Sequence, residues 1–290
     1  MNKAADSKRA PVKVATEKYD IRPGQSVELL KELHILTRDG KLNQDSRRKL
    51  KQVYHLFQFI EPLLKEVLAR KPDLTLVDHG AGKSYLGFIL YDLFFKENAP
   101  QGHIYGIETR EALVQSSSAL ATRLGFGGMS FLNLSVAESI TSPALPAEID
   151  VVTALHACNT ATDDAIHFAL AKRAQHIVLV PCCQAEVAAA LRKHKNAALA
   201  NPLAEVWRHP IHTREFGSHV TNVLRCLQLE AHGYQLNVTE LVGWEHSMKN
   251  ELIIASRTQK PSRKAAERVR AILDELGLAD ELGQRFFTPA

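Results

Sequence analysis

The stretch of sequence that decides the fold is Leu74-Thr-Leu-Val-Asp78-His-Gly80-Ala-Gly82-Lys-Ser-Tyr85. Its apolar first half ends in an acid, and two glycines then precede a pattern typical of an amphipathic helix. This order predicts a strand, a tight turn and a helix N-terminus, where a ligand can lie against bare backbone. Asp78 is then placed to bind a charged or hydroxyl group of that ligand.

Three known ligand-binding patterns can be compared with this stretch. A phosphate loop of the G-x-x-x-x-G-K-[ST] type fits Gly82-Lys83-Ser84, but its first glycine would fall on Val77 inside the strand, so the spacing excludes it. A dinucleotide loop needs G-x-G-x-x-G, and Tyr85 at the third glycine position weakens that interpretation. The third pattern, acid-x-Gly-x-Gly, resembles the first motif of class I S-adenosylmethionine-dependent methyltransferases.

The rest of the chain supplies strand patterns in the order of that family. Helix-length patterns alternate with the earlier ones, which predicts βαβ units and a parallel sheet covered on both faces. The last two patterns resemble the antiparallel sixth and seventh strands of the methyltransferase sheet. After the first strand, the patterns are 102–108, 130–138, 149–155, 176–180, 235–242 and 251–255.

The resemblance implies an α/β fold, with a Rossmann-like seven-stranded class I methyltransferase sheet and an N-terminal helical extension. The helical extension is indicated by apolar residues at helical spacing before the first strand. Residues 202–217 are polar and predict a long connection before a helix at 219–233. The predicted divisions are a flexible basic tail at 1–22, the helical extension at 23–70, the methyltransferase domain at 71–258 and a C-terminal helix at 259–290.

The same resemblance implies that the cofactor is S-adenosyl-L-methionine. The glycine loop and Asp78 are then expected to hold its methionine end, Glu108 its ribose hydroxyls, and the segment 135–138 its adenine. Glu138 could equally cap the helix that follows. The predicted cofactor-binding residues are Asp78, Gly80, Ala81, Gly82, Glu108, Ser135, Val136, Ala137 and Glu138.

A narrower resemblance rests on two motifs that follow the fourth and fifth strands. These are His156-Ala-Cys158-Asn-Thr-Ala-Thr162-Asp163 and Pro181-Cys182-Cys183. Together they are similar to a methyltransferase branch that includes the methyltransferase domain of glutathione-S-transferase-C-terminal-domain-containing proteins and related bacterial proteins. Because ligands of open α/β sheets bind at the carboxyl ends of the strands, both motifs are expected at the site of methyl transfer.

The predicted catalytic residues come from these motifs. A histidine near neutral pKa suits removal of a proton from an oxygen or nitrogen acceptor, which makes His156 the candidate base or orienting group. Asp163 and Thr162 precede a helical pattern and are expected to cap it, although Asp163 could also contact a ligand. The full set is His156, Cys158, Cys182, Cys183 and Asp163.

The cysteines of the two motifs leave three interpretations open. Cysteines after both strands are similar to those of RNA 5-methylcytosine enzymes, but those enzymes usually carry Pro-Cys where this chain has Ala157-Cys158. Zinc is disfavoured because the cysteines are adjacent and no C-x-x-C occurs, so no metal is predicted. Small buried cysteines that only line a pocket are the third interpretation.

Composition and charge bound the partners. The 290 residues are 45% hydrophobic and 23% charged, and four cysteines in a chain this long predict a reducing cytoplasm rather than a disulfide framework. The N-terminus lacks the apolar core of a secretory signal, and no apolar run reaches the ~18–20 residues of a membrane helix. The net charge of +4 is unevenly distributed, and the basic cluster that predicts RNA contact is Arg47, Arg48, Lys49 and Lys51.

The predicted function is therefore methyl transfer from S-adenosylmethionine, with ribosomal or transfer RNA as the expected acceptor. The basic cluster could instead be a solvated helix face, which would leave a protein or a small molecule as the acceptor. A cofactor-binding interaction module without turnover is an alternative of a different class. A nicotinamide oxidoreductase is disfavoured by Tyr85 in the glycine loop.

Overall fold

A computed structural model of the chain describes residues 21–155, 157, 159–182, 184–193, 205–206, 208–241 and 251–286. Nearly all of the predicted basic tail lies outside these residues. The described part contains a seven-stranded sheet with the order β3-β2-β1-β4-β5-β7-β6. The strands are β1 (Thr75–His79), β2 (His103–Glu108), β3 (Met129–Asn133), β4 (Val151–Leu155), β5 (His176–Val180), β6 (Tyr234–Glu240) and β7 (Glu251–Arg257).

Strands β1 to β5 pair in parallel, and β7 pairs antiparallel with both β5 and β6. This arrangement confirms the predicted class I methyltransferase sheet. The strand order reverses at β1, where β2 lies on one side and β4 on the other. The carboxyl ends of these three strands therefore border one crevice, which is the usual place for a ligand in an open parallel sheet.

Helices cover both faces of the sheet. Successive residues of a strand point to opposite faces, and both sets of side chains in the central strands are apolar and need to be buried. Leu76 belongs to one apolar cluster and Val77 to another. The helices are α1 (Val27–Glu32), α2 (Gln44–Leu68), α3 (Tyr85–Leu90), α4 (Lys96–Asn98), α5 (Glu111–Leu124), α6 (Val136–Thr141), α7 (Ala161–Ala171), α8 (Glu186–Lys193), α9 (Pro210–Ala231), α10 (Arg263–Glu275) and α11 (Ala279–Phe286).

Helix α2 is the main element of the N-terminal extension. It begins at Asn43, whose side chain accepts a hydrogen bond from the Ser46 amide at 2.8 Å and so caps the first turn. Its buried stripe includes Ile60 and Leu64, which share an apolar cluster with Leu76 of β1. The C-terminal half of α2 is therefore part of the main core. Each buried side chain of this kind contributes about 1.5–3 kcal/mol to stability.

A π-helical turn, Tyr91–Phe95, separates α3 from α4. The Tyr91 hydroxyl accepts a hydrogen bond from the Gly128 amide at 3.1 Å. Asp92 is buried and accepts the Ser26 amide at 2.9 Å, while the Lys96 ammonium bonds the same carboxylate at 2.9 Å. Ser26 is the N-cap of α1, so this turn fixes the start of the N-terminal extension.

The structure corrects two predictions about helices. Residues 210–217 are not part of a long connection, because α9 begins at Pro210, a residue whose missing amide suits the first helical position. The C-terminal segment contains both α10 and α11 rather than one helix.

Candidate functional site

The glycine loop after β1 has the backbone that the sequence predicts. Gly80 and Gly82 have φ angles of +67° and +58°, a region that residues with a Cβ atom adopt at a cost. A Cβ atom at either position would lie 3.8 Å or more from its nearest neighbour, so backbone conformation rather than lack of space requires glycine. The Ala81 amide donates to the Ile107 carbonyl at 2.9 Å and ties the loop to β2.

Asp78 lies near the end of β1, beside Thr153 of β4, and lines the crevice. It is 2% exposed, and its carboxylate accepts the Thr153 hydroxyl at 3.0 Å and the Ser84 hydroxyl at 3.2 Å. Burial raises the pKa of Asp78 to about 6, and the two hydroxyl donors only partly oppose that rise. The group is therefore close to its titration range at neutral pH.

Glu108 lies at the end of β2 and is 7% exposed. One carboxylate oxygen accepts the Gly82 amide at 2.8 Å, which links this strand end to the glycine loop. Hydrogen bonds from the Arg110 side chain, the Arg110 amide and Gly82 hold the pKa of Glu108 at about 2, against the opposing effect of burial. The carboxylate is thus ionised throughout the neutral range.

A cavity of about 500 Å³ lies between the glycine loop and the N-terminal half of α2. Its charged lining is mostly basic, with Lys49, Lys83 and Arg110 opposed by Asp78. The helical extension therefore forms one wall of the predicted cofactor site. The lining residues from the extension are Leu33, Lys49, Gln52, Val53 and Leu56, and those from the sheet side are Asp78, Gly80, Ala81, Gly82, Lys83, Tyr85, Leu86, Ile89, Arg110 and Leu155.

The predicted adenine segment forms the N-terminus of α6. Ser135 is the N-cap, and the Glu138 carboxylate accepts both the Ser135 amide at 2.8 Å and its hydroxyl at 2.6 Å. Of the two roles that the sequence leaves open for Glu138, the capping box is therefore observed. Contact of Ser135, Val136, Ala137 and Glu138 with an adenine stays a prediction.

The catalytic candidates are only partly within the described residues. His156, Cys158 and Cys183 lie outside them, and Cys182 lies after the end of β5 with its side chain half-buried. Asp163 is the third residue of α7 rather than its cap, because the helix begins at Ala161 after Thr160. The Thr162 hydroxyl donates to the Ala157 carbonyl at 2.6 Å, so the expectation that these two residues cap the helix is wrong.

Asp163 is instead half of a buried ion pair with Arg225 of α9. The guanidinium binds both carboxylate oxygens at 2.8 Å, and the two side chains are 1% and 7% exposed. Arg225 also donates to the Asn159 carbonyl at 2.8 Å, so it holds the loop after β4. Arg225 is not among the predicted site residues, although a charged residue between the apolar Leu224 and Cys226 is a signal in the sequence.

The loop after β5 is attached to the same helix. Gln184 donates to the Asn222 side-chain oxygen at 3.2 Å and accepts the Ser218 hydroxyl at 2.7 Å. Asn222 in turn bonds Arg225 at 3.2 Å and Glu251 at 2.7 Å. Helix α9 therefore positions both loops that carry the catalytic candidates.

The geometry fits S-adenosylmethionine, which supplies a methyl group on a sulfonium when bound. Gly80 and Gly82 leave the backbone open, and the Glu108 carboxylate lies at the end of the neighbouring strand, where it binds the Gly82 amide of this loop. The cavity volume is within the ~300–1,000 Å³ of small-molecule sites. Among the described residues, no three His, Cys, Asp or Glu side chains form a metal-binding group.

A family model described as a methyltransferase domain matches residues 48–190, from the first turns of α2 into α8. No curated protein sequence matches the chain significantly.

Solved structures with a similar fold include an rRNA methylase from Streptococcus thermophilus, at 11% identity and a TM-score of 0.44, covering 69% of this chain and 95% of that one. Another is the magnesium protoporphyrin IX methyltransferase from Synechocystis PCC 6803 with bound S-adenosylhomocysteine, at 15% identity and a TM-score of 0.43, covering 80% and 93%.

Proposed function

Because the chain carries an S-adenosylmethionine-dependent methyltransferase domain, we propose that it transfers the methyl group to RNA. One observation carries the choice of acceptor. Lys49 belongs to the basic cluster of α2 and also lines the cavity beside the glycine loop. A polyanion bound to the cluster would therefore lie at the entrance of the methyl-transfer site.

The charges around Lys49 support this proposal. Arg47 and Arg48 are exposed on the first turns of α2, and Lys51 is half-buried. Lys49 pairs with Asp45 at 2.9 Å and donates to the His34 carbonyl at 2.9 Å, so its ammonium is held in place. Clustered cations attract nucleic acid because their binding releases the counterions condensed on the phosphates.

The finer parts of the proposal rest on sequence resemblance. The motifs at His156–Asp163 and Pro181–Cys183 support membership of the branch with glutathione-S-transferase-C-terminal-domain-containing proteins. A cytoplasmic location is proposed from the cysteine content. In the described part of the chain no helix is long and apolar enough to cross a membrane.

Reversing the exposed charges of the cluster tests the RNA proposal. We expect Arg47→Glu with Arg48→Glu to weaken binding of a fluorescent tRNA transcript about tenfold and to reduce the salt slope of log K by about 1.5. Lys264→Glu with Arg268→Glu is the matched control, because both residues are exposed on α10 and the charge change is identical. Equal losses in the two double variants would contradict a specific role for α2.

Transfer itself is tested with a tritium-labelled methyl group on S-adenosylmethionine and with mixtures of RNA and protein from cells. Label is expected in ribosomal or transfer RNA. Label confined to the protein or small-molecule fraction would replace RNA by one of those acceptors. Binding of S-adenosylhomocysteine without any transfer would favour the interaction module.

His156→Ala tests the proposed base. We expect loss of turnover with unchanged affinity for S-adenosylhomocysteine, because a base acts on the acceptor rather than on the cofactor. His103→Ala is a suitable control. His103 is the first residue of β2, at the end of the strand away from Glu108, and its ring bonds the Ser130 hydroxyl at 2.8 Å. Turnover at the wild-type rate in His156→Ala would exclude it as the base.

A further inference from the structure

The carboxylate of Glu108 is already fully engaged by the protein. One oxygen accepts the Arg110 amide at 3.0 Å and its Nε at 2.9 Å, with the Thr109 hydroxyl as a longer third donor at 3.4 Å. The other accepts the Gly82 amide at 2.8 Å and an Arg110 terminal nitrogen at 3.0 Å. An ionised carboxylate has about four acceptor positions, so no position remains for the two hydroxyls of a ribose.

The donors to Glu108 differ in how easily they can leave. The Gly82 and Arg110 amides belong to the backbone and are fixed by the fold. The Arg110 side chain is 68% exposed, and within the described residues its guanidinium bonds Glu108. The guanidinium is therefore the donor that can leave without a change in the backbone, and a ligand that offers two hydroxyl donors can take its place on the two carboxylate oxygens.

Arg110 also faces the proposed acceptor. It lines the cavity together with Lys49 and Lys83, whereas Glu108 is not among the lining residues. The guanidinium therefore lies between the carboxylate and the cavity. Once displaced from Glu108, it remains at the basic wall with its five donors available, a geometry that matches a phosphate.

We propose that Arg110 exchanges partners during binding: it closes Glu108 in the free enzyme, yields that carboxylate to the ribose, and then binds a phosphate of the RNA acceptor. The last step rests on the proposed function, and the second rests on the predicted contact between Glu108 and the ribose of the cofactor. Because the same side chain is released by one ligand and used by the other, cofactor and RNA should each increase the affinity for the other.

The first experiment measures S-adenosylhomocysteine binding by calorimetry at low salt. Arg110→Gln is expected to bind at least about threefold more tightly than wild type, because the ribose no longer has to displace a bidentate guanidinium. Added salt should bring wild type toward the variant, because salt screens the competing pair. Arg173→Gln is the control, since Arg173 forms an exposed pair with Glu148 at 3.3 Å.

Two outcomes would overturn the exchange at Glu108. Unchanged binding by Arg110→Gln means that the guanidinium does not compete, and weaker binding means that it is a cofactor ligand. A second pair of ligands locates the competition: the gain should appear with adenosine and vanish with 2′,3′-dideoxyadenosine, which lacks both hydroxyls. An equal gain with both nucleosides would also contradict the proposal.

The second experiment measures affinity for the tRNA transcript with and without S-adenosylhomocysteine. In wild type the ligand should tighten RNA binding about fivefold, within the usual range of coupling between sites. Arg110→Gln should show no coupling. Persistent coupling in Arg110→Gln would overturn the phosphate step. A wild type that binds no RNA would overturn both that step and the proposed function, while the exchange at Glu108 is decided by the first experiment.

Discussion

Arg225→Met is expected to lower the free energy of unfolding by about 3–5 kcal/mol, the cost of removing one partner from a buried ion pair. Asp163 would keep its charge with its side chain 7% exposed and both guanidinium bonds lost. The Asn159 carbonyl would lose a donor as well. The measurement is urea-induced unfolding followed by circular dichroism.

Two further variants make this test specific to the pair. Arg225→Met combined with Asp163→Leu removes both charges and should be more stable than Arg225→Met alone, because in the single variant the buried carboxylate keeps only Arg285 at 3.9 Å in place of two hydrogen bonds at 2.8 Å. Lys193→Met removes an exposed ion pair, in which the Lys193 ammonium lies 2.6 Å from the Glu281 carboxylate. This variant should lower the free energy of unfolding by less than about 1 kcal/mol. A similar small loss in Arg225→Met would show that the pair does not stabilise α9 against the loops.

His79 and Asp78 are expected to give the stability opposite dependences on pH. His79 is 5% exposed, packs 5.2 Å from the Phe168 ring, and finds no hydrogen-bond partner for either ring nitrogen among the described residues. Burial lowers its pKa from 6.5 to about 4. Burial raises the pKa of Asp78 from 3.8 to about 6.

The sign follows from which state binds more protons. Between pH 6.5 and 4 the unfolded chain binds more protons at His79, so acidification destabilises the fold by up to about 3 kcal/mol through this group. Between pH 6 and 3.8 the native state binds more protons at Asp78, so acidification stabilises it by a similar amount, about 3 kcal/mol. In the wild type the two contributions have opposite signs and therefore oppose each other.

Single variants should separate them. From pH 6.5 to 4, His79→Phe should gain stability relative to wild type, and Asp78→Asn should lose it. The measurement is the denaturation midpoint and slope at several pH values, compared as differences from wild type so that other titrating groups drop out. Parallel curves for wild type and both variants would contradict the assigned burial of these groups.

The sequence was most informative where one residue type satisfies a local backbone need. The positive φ angles of Gly80 and Gly82 and the acids at the ends of β1 and β2 are consequences of a strand that turns tightly into a helix. The strand order itself came from resemblance, because local patterns do not determine which strands become neighbours. The helical extension was recognised from its periodicity, but its place as a cavity wall needed the structure.

The errors come from interactions between distant parts of the chain. The first turns of α9 are mostly polar, yet they are helical and packed: Thr213 and Gly217 are buried, and Gly217 lies directly against Ala188 of α8. Asp163 has the position of a helix cap in the sequence, but Arg225, far along the chain, binds it. Arg110 binds Glu108 from two residues along the chain, but the Gly82 amide that also binds this carboxylate comes from the loop after β1. The full set of donors to Glu108 is therefore visible only in the structure.

The π-helical turn at Tyr91–Phe95 has a consequence for changes in chain length. A helix rotates by about 100° for each residue, so loss of one residue here would turn every later side chain of the segment away from its present neighbours. Tyr91 accepts a hydrogen bond from the Gly128 amide, and Asp92 accepts one from the Ser26 amide. The turn is therefore bonded both to a segment that precedes it in the chain and to one that follows it. Insertions and deletions in this turn should therefore be excluded during evolution, even where substitutions of its exposed residues are tolerated.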